Sequence, residues 1–172
     1  DETDDPIANW CYDAGVPCFR GSLNNVALRF YQAGIEAGGE AIVRVSADSP
    51  FIDPSLIDHA IHLHRRKAAD LITNVFPRSF PRGQSVEIVT RHAMERLLAG
   101  HLASDEKEHV TKAFYDSPDR YTIVNFLAAD FDAGHFDFSF LFADLFSLNL
   151  GTAYEISGDL SRNIFQKYCG GL

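Results

Sequence analysis

The sequence predicts an α/β domain built on a mostly parallel sheet flanked by helices, and three observations carry that prediction. Compact β-branched runs at Ala41–Ala47 and Leu71–Phe76 are apolar nearly throughout, as strands covered on both faces are. Between them apolar residues recur at helical spacing, in Ile57, Ala60, Ile61 and His64. The intervening helix opens on Asp53-Pro54, where the carboxylate caps and proline takes the first helical position. Strand, helix and strand from Ala41 to Phe76 therefore form a βαβ unit, whose crossover is expected to be right-handed.

The elements follow in order. Val16 to Gly21 is a short apolar run ending in glycine, which suits a strand entering a turn. Ser22 is the expected cap of a helix carrying Leu23, Val26, Ala27, Phe30, Ala33 and Ala37, stopped by Gly38-Gly39, with Arg29 at the edge of its apolar face. Arg65, Arg66 and Lys67 suit the negative end of the helix that starts at Asp53. Two prolines and a glycine make 77–83 a loop. Val86–Val89 reads as a strand, and Thr90 as the cap of a helix holding Met94, Leu97 and Leu98. Ser104 is expected to cap the next helix, with Asp105 and Glu106 in its first turn and Ser117-Pro118 at its end. Tyr121–Leu127 is a strand. Phe136, Phe138, Phe140 and Phe142 alternate as a further strand would, serving the core or a dimer contact, and Asp159 caps a last helix through Leu160, Ile164 and Tyr168.

Composition narrows the function. A chain of 172 residues, 46% hydrophobic, suits one domain spanning 1–172 with a substantial core. No apolar stretch approaches the roughly 20 residues of a membrane span, and the acidic start lacks a signal-peptide pattern, so a cytoplasmic protein is expected. Cys11, Cys18 and Cys169 form no C-x-x-C pair and read as reduced structural thiols. The net charge of −9 argues against nucleic acid as a partner. An anionic substrate held through a metal ion and a few arginines remains compatible with it.

In open α/β sheets ligands gather at the carboxyl ends of strands, which singles out Asp48 and Asn74. Asp48 follows its strand in a turn, where a carboxylate could join Mg²⁺ to substrate phosphates. A turn aspartate bonded to its own backbone is the competing explanation. His59, His62 and His64 share one helix without a convergent third ligand and read as a solvated basic end. No G-x-S-x-G elbow supports a serine hydrolase.

Residues 43–54, Val-Arg-Val-Ser-Ala-Asp-Ser-Pro-Phe-Ile-Asp-Pro, resemble the "V-R-V-T-x-D-x-P-L-I-D-P" signature of the cytidylyltransferases grouped with spore-coat polysaccharide biosynthesis proteins, relatives of the acylneuraminate and keto-deoxy-octulosonate synthetases. Three further blocks agree in order: Gly21-Ser22 to Tyr31, Gly83 to Glu87 against "G-x-D-x-E", and Glu108-His109-Val110-Thr111 against "R-E-H-V-T". The resemblance implies a Rossmann-like nucleotidyltransferase sheet, Mg²⁺, and transfer of CMP from CTP to a sugar or sugar acid with release of pyrophosphate. It also implies that Asp48 holds the catalytic metal and that Arg29 lies near the nucleotide. Asn74, Arg82, Glu87 and His109 would face the substrate.

The departures from the family pattern shape the expectation too. The "G-S-x-R-x-P-x-K" loop that grips the triphosphate has no counterpart before Asp4-Asp5, so the chain is expected to turn over little CTP and to self-associate through an unpaired sheet edge. Ser85 stands where the family commonly has aspartate, and of the later "V-D-T-x-x-D-L" strand only Asp144 is kept. Two alternatives stay open: a metal-dependent glycosyltransferase using a nucleotide sugar, and a non-catalytic remnant that binds or dimerises.

Overall fold

A computed structural model of the chain describes residues 2–129. After a 3-10 turn at Glu2–Asp4 come α1 (Asp5–Asp13), α2 (Val26–Glu36), β1 (Ala41–Arg44), α3 (Pro54–Arg66), β2 (Leu71–Thr73), β3 (Glu87–Thr90), α4 (Arg91–Leu98), α5 (Ser104–Glu108), α6 (Lys112–Asp116), a 3-10 turn at Pro118–Arg120 and β4 (Ile123–Asn125). The four described strands form one sheet in the order β1-β3-β2-β4. β2 and β4 pair in parallel, with Leu71 opposite Ile123, Ile72 opposite Val124 and Thr73 opposite Asn125. The α/β class is therefore the one the sequence predicts. The expected Phe136–Phe142 strand, Asp144 and the helix from Asp159 lie outside the described residues.

Among the described residues the chain divides into two compact units, residues 2–42 with 89–122, and residues 43–88 with 123–129. β1 and β3 each run through that division. In the second unit, β2 is buried along its length because its Leu-Ile-Thr run packs against α3 and β4. α3 starts as expected: the Asp53 carboxylate accepts from the Ser55 N–H at 2.7 Å and its Oγ at 2.5 Å, satisfying an orphan donor of the first turn. Its buried face is Leu56, Ile57 and Ala60. Ile61 and His64, expected in the inward stripe, are half-buried, and the buried face includes Leu56, which the expected stripe did not.

In the first unit α2 packs against α4 and α5. Gly34 lets α2 approach β1, since a Cβ there would lie 2.3 Å from Ile42 Cδ1 and 2.6 Å from its Cγ1. Thr90 caps α4 by accepting from the Ala93 N–H at 3.1 Å. The Phe114 and Tyr121 rings meet at 4.5 Å between centroids, and the Arg96 guanidinium covers Tyr121 at 5.1 Å.

Several local expectations are corrected. Val16–Gly21 forms no strand: Gly15 turns at φ +67° and the Val16 N–H closes on Cys11 O at 2.8 Å, so Val16 completes the C-terminus of α1, and Pro17 lacks a ladder donor. The cap of α2 is Asn25, whose side chain accepts from the Leu28 N–H at 3.0 Å, while Ser22 Oγ accepts from the Asn25 N–H at 3.1 Å one step earlier. α5 begins at Ser104 itself, the Glu106 carboxylate reaching back to the Ala103 N–H at 2.7 Å. β1 stops at Arg44 and is half-exposed rather than covered on both faces, because it is an edge of the described sheet.

Candidate functional site

Beyond β1 the chain turns at residues 46–49, where the Ser49 N–H donates to Ser46 O at 3.1 Å. Asp48 is exposed on this turn, and the Ser49 hydroxyl donates to its carboxylate at 3.2 Å. Hydrogen bonds from the Ser46 and Ser49 side chains hold the Asp48 carboxyl below the ordinary carboxylate range, and the nearby Arg44 charge acts in the same direction. An ionised, outward carboxylate at the end of a strand results. The turn hydrogen bonds that a structural aspartate would make are also present, so geometry alone supports both readings of Asp48.

Among the described residues no three His, Cys, Asp or Glu side chains cluster as a preformed metal cage. The carboxylate of the neighbouring Asp53 is occupied in capping α3. Among the described residues, the exposed Asp48 carboxylate fits Mg²⁺, a cation that keeps several waters and is commonly held by one or two carboxylates together with substrate phosphates.

The second segment of the site is the loop from Val75 to Ser85. Gly83, at φ +87°, takes a left-handed turn that a side chain disfavours and sends the chain back toward the sheet. Gln84 is consequently only 1% exposed. Asn74, at the end of β2, is fully buried: its Nδ2 donates to Gln84 O at 2.7 Å and its Oδ1 accepts from the Val86 N–H at 3.0 Å. The amide expected at a substrate contact is thus engaged with the backbone at both ends, since a buried amide must find partners. Opposite Thr73, Asn125 accepts from the Phe76 N–H at 2.9 Å and donates to Pro77 O at 3.1 Å. Ser79 Oγ accepts from the Ala128 N–H at 2.8 Å. On the loop so fastened, Arg82 is exposed and Arg78 donates to Ser85 Oγ at 3.0 Å.

Glu87 opens β3 and is not the outward strand residue its position allowed. Its side chain is 3% exposed and accepts from Arg44 Nη1 at 2.5 Å. Arg44, on β1, is therefore a partner of the site. Asp48, Arg44, Glu87, Asn74 and Arg82 all belong to the second unit. Arg29 and His109 belong to the first. Arg29 is half-buried on α2 and donates to Ser22 O at 3.1 Å, and His109 is exposed at the end of α5, its N–H bonded to Asp105 O at 2.8 Å.

Three polar residues of this region were not singled out from the sequence: Arg44, Gln84 and Asn125. A signal existed for each. Arg44 is a cation inside an otherwise β-branched run, and Asn125 is a polar residue within an apolar strand, the same kind of position that draws attention to Asn74. Gln84 follows a glycine at the mouth of an apolar strand, but only tertiary structure reveals that it is buried. Of the three histidines expected at a solvated helix end only His62 is exposed, meeting Arg66 at 3.2 Å; His64 is half-buried, and so is His59, whose ring tilts against the buried Phe126 at 5.0 Å. Among the described residues no helix is long and apolar enough to cross a membrane.

Comparison with known proteins bears on this geometry. A cytidylyltransferase family model matches residues 1–146. A spore coat polysaccharide biosynthesis protein, SpsF, of Bacillus subtilis is 31% identical over 129 residues, covering 74% of this chain and 52% of that protein. An uncharacterized protein of Methanocaldococcus jannaschii is 30% identical over 120 residues, covering 70% and 48%. The solved structure of a cytidylyltransferase from Leptospira borgpetersenii serovar Hardjo-bovis superposes with a TM-score of 0.70 at 27% identity, covering 74% of this chain and 54% of that one. The chain spans about half the length of the curated relatives it matches.

Proposed function

The chain belongs to the cytidylyltransferase family, and from that premise we propose that it contributes the metal-binding and sugar-facing part of an enzyme that transfers CMP from CTP to a sugar or sugar acid in polysaccharide biosynthesis. In this reaction an acceptor hydroxyl oxygen bonds to the α-phosphorus of CTP, the bond from that phosphorus to the bridging oxygen breaks, and pyrophosphate leaves. The observation that carries the reading is Asp48, ionised and exposed at the carboxyl end of β1 within the segment that resembles the family signature.

Asp48 would hold Mg²⁺. When bound, that ion supplies neutralisation of the phosphate charge that builds as pyrophosphate departs. Arg29 would contact the nucleotide. Arg82, on the fastened loop, would meet the acceptor, and for His109 the resemblance to the family implies a substrate-facing role. Glu87 would act on the substrate through the arginine it orients, since its own carboxylate is buried against Arg44. Asn74 would hold the loop in place. Phosphoryl transfer depends chiefly on positioning and charge stabilisation, which a few fixed polar groups can provide.

Product analysis tests the reading. Joined to a segment that supplies a triphosphate-gripping loop, the chain incubated with CTP, Mg²⁺ and a panel of sugars and sugar acids should release pyrophosphate and form a CMP-sugar with at least one acceptor, whereas the chain by itself should turn over little CTP. Release of a nucleoside diphosphate from a nucleotide sugar instead would point to a glycosyltransferase and overturn it.

A further inference from the structure

Gln84 occupies an unusual position in the hydrogen-bond pattern of the second unit. Its Oε1 accepts from the Asp53 N–H at 2.9 Å, and its Nε2 donates to Phe51 O at 2.9 Å. One side-chain amide thus satisfies two backbone groups on the segment that leads from Asp48 into α3. The backbone of Gln84 is held as well. Its N–H donates to Pro81 O at 3.3 Å, and its carbonyl accepts from Asn74 Nδ2 at 2.7 Å. Phe51 and Asp53 are therefore joined through the Gln84 side chain to a residue whose own backbone closes on Pro81 of the Arg78–Arg82 loop and is anchored by Asn74 at the end of β2.

We infer that Gln84 is a positioning residue that locks the Asp48 turn and the arginine-bearing loop into one preorganised unit. The inference deepens the cytidylyltransferase reading and rests on it for the identity of the ligand, although the coupling itself is a property of the hydrogen bonds. Flexible loops lose conformational entropy on ordering around a triphosphate, so a fixed loop pair binds it at lower cost. Buried amides suit this task because each unmade bond leaves a desolvated backbone group, which penalises any arrangement but the joined one.

The test uses two variants. Gln84→Glu keeps the acceptor toward the Asp53 N–H and, when ionised, loses the donor toward Phe51. Gln84→Met keeps the volume and loses both bonds. Binding of CTP in the presence of Mg²⁺ is measured by calorimetry for each, in the wild-type background and with Asp48→Asn. Each variant should weaken binding roughly tenfold in the wild-type background and less than about twofold when Asp48 is already replaced, because residues acting through one another are not additive. Equal losses in both backgrounds would overturn the inference, assigning Gln84 to general stability.

A second readout separates this inference from the reading beneath it. If the wild type binds CTP without regard to Mg²⁺, the cytidylyltransferase reading fails, and amide hydrogen exchange then decides the role of Gln84. In Gln84→Glu, exchange should accelerate together across residues 51–53 and 76–83 and stay unchanged in Leu71–Thr73. Acceleration in one segment only, or in neither, would show that the two are not coupled. Should Gln84→Met fail to fold, Gln84→Glu carries both measurements.

Discussion

Arg44 and Glu87 form an asymmetric ion pair: they meet at 2.5 Å, yet the Glu87 side chain is 3% exposed and that of Arg44 is 32% exposed. Removing Arg44 takes a close cation from a buried carboxylate, whereas removing the Glu87 charge leaves an arginine that water can reach. Loss of one partner of a buried pair typically costs about 3–5 kcal/mol. Arg44→Met should therefore destabilise the protein by roughly 3 kcal/mol, and Glu87→Gln by about 1 kcal/mol or less. Denaturant midpoints of both variants check the asymmetry, and equal losses would contradict it.

Asn74 satisfies two buried backbone groups, Gln84 O and the Val86 N–H. Asn74→Ala should cost about 2–6 kcal/mol, at about 1–3 kcal/mol for each of the two groups left unpaired. Asn74→Asp gives a pH signature. Its neutral carboxyl can donate to Gln84 O, but its ionised form cannot, so burial raises its folded-state pKa above the unfolded value. Stability should accordingly be greater near pH 5 than near pH 8 and fall as pH rises through the raised value. Thermal melts at the two pH values read this directly, and a flat profile would contradict it.

Gly34 and Ile42 set the approach of α2 to β1. Glycine to alanine within a helix gains up to about 1 kcal/mol from propensity. Here the new methyl would sit 2.3 Å from a β-branched side chain, so overpacking of about 1–3 kcal/mol should win and Gly34→Ala should destabilise. Ile42→Ala removes the obstructing atoms. Adding Gly34→Ala to it should cost less than adding it to the wild type, and strict additivity of the melts would refute the contact.

How far the sequence carried the structure depended on where the deciding forces lay. Asp53-Pro54 and Thr90 were legible because caps act within three residues of themselves. The strands at Leu71 and Val86 were legible because apolar β-branched runs suit a buried sheet. Val16–Gly21 was misread because a glycine in a left-handed turn bonds the start of that run, Val16, back to the end of α1. β1 was misread as fully covered because strand order, which leaves it at an edge of the described sheet, is a long-range property. The same limit applies to the site. Strand-end logic found Asp48 and Asn74, but the burial that gives Asn74 to the backbone, and pairs Glu87 with Arg44, arises from residues 10 to 43 positions apart.

The pH response of Asp48 follows from its depressed carboxyl. A lowered folded-state pKa means that the ionised form is fully present above the ordinary carboxylate value and is lost only as pH falls through the lowered one. The ratio of wild-type to Asp48→Asn affinity for CTP with Mg²⁺ should then stay constant from about pH 8 to about pH 5 and fall toward one only below the ordinary carboxylate range. Protonation of CTP itself cancels in the ratio. A ratio that falls steadily between pH 8 and pH 6 would mean that another group, not Asp48, controls the metal-dependent interaction.

Asp48 also provides the most direct test of the central claim. CTP is titrated against the wild type and Asp48→Asn, with Mg²⁺ and with the ion chelated, after matching melts establish that both are folded. If Asp48 holds the metal, the wild type binds CTP in a Mg²⁺-dependent manner and Asp48→Asn loses that dependence, because the amide keeps the shape of the turn and removes the charge. Equal metal-dependent affinity in the two proteins would contradict the account and leave Asp48 as a residue of the turn alone.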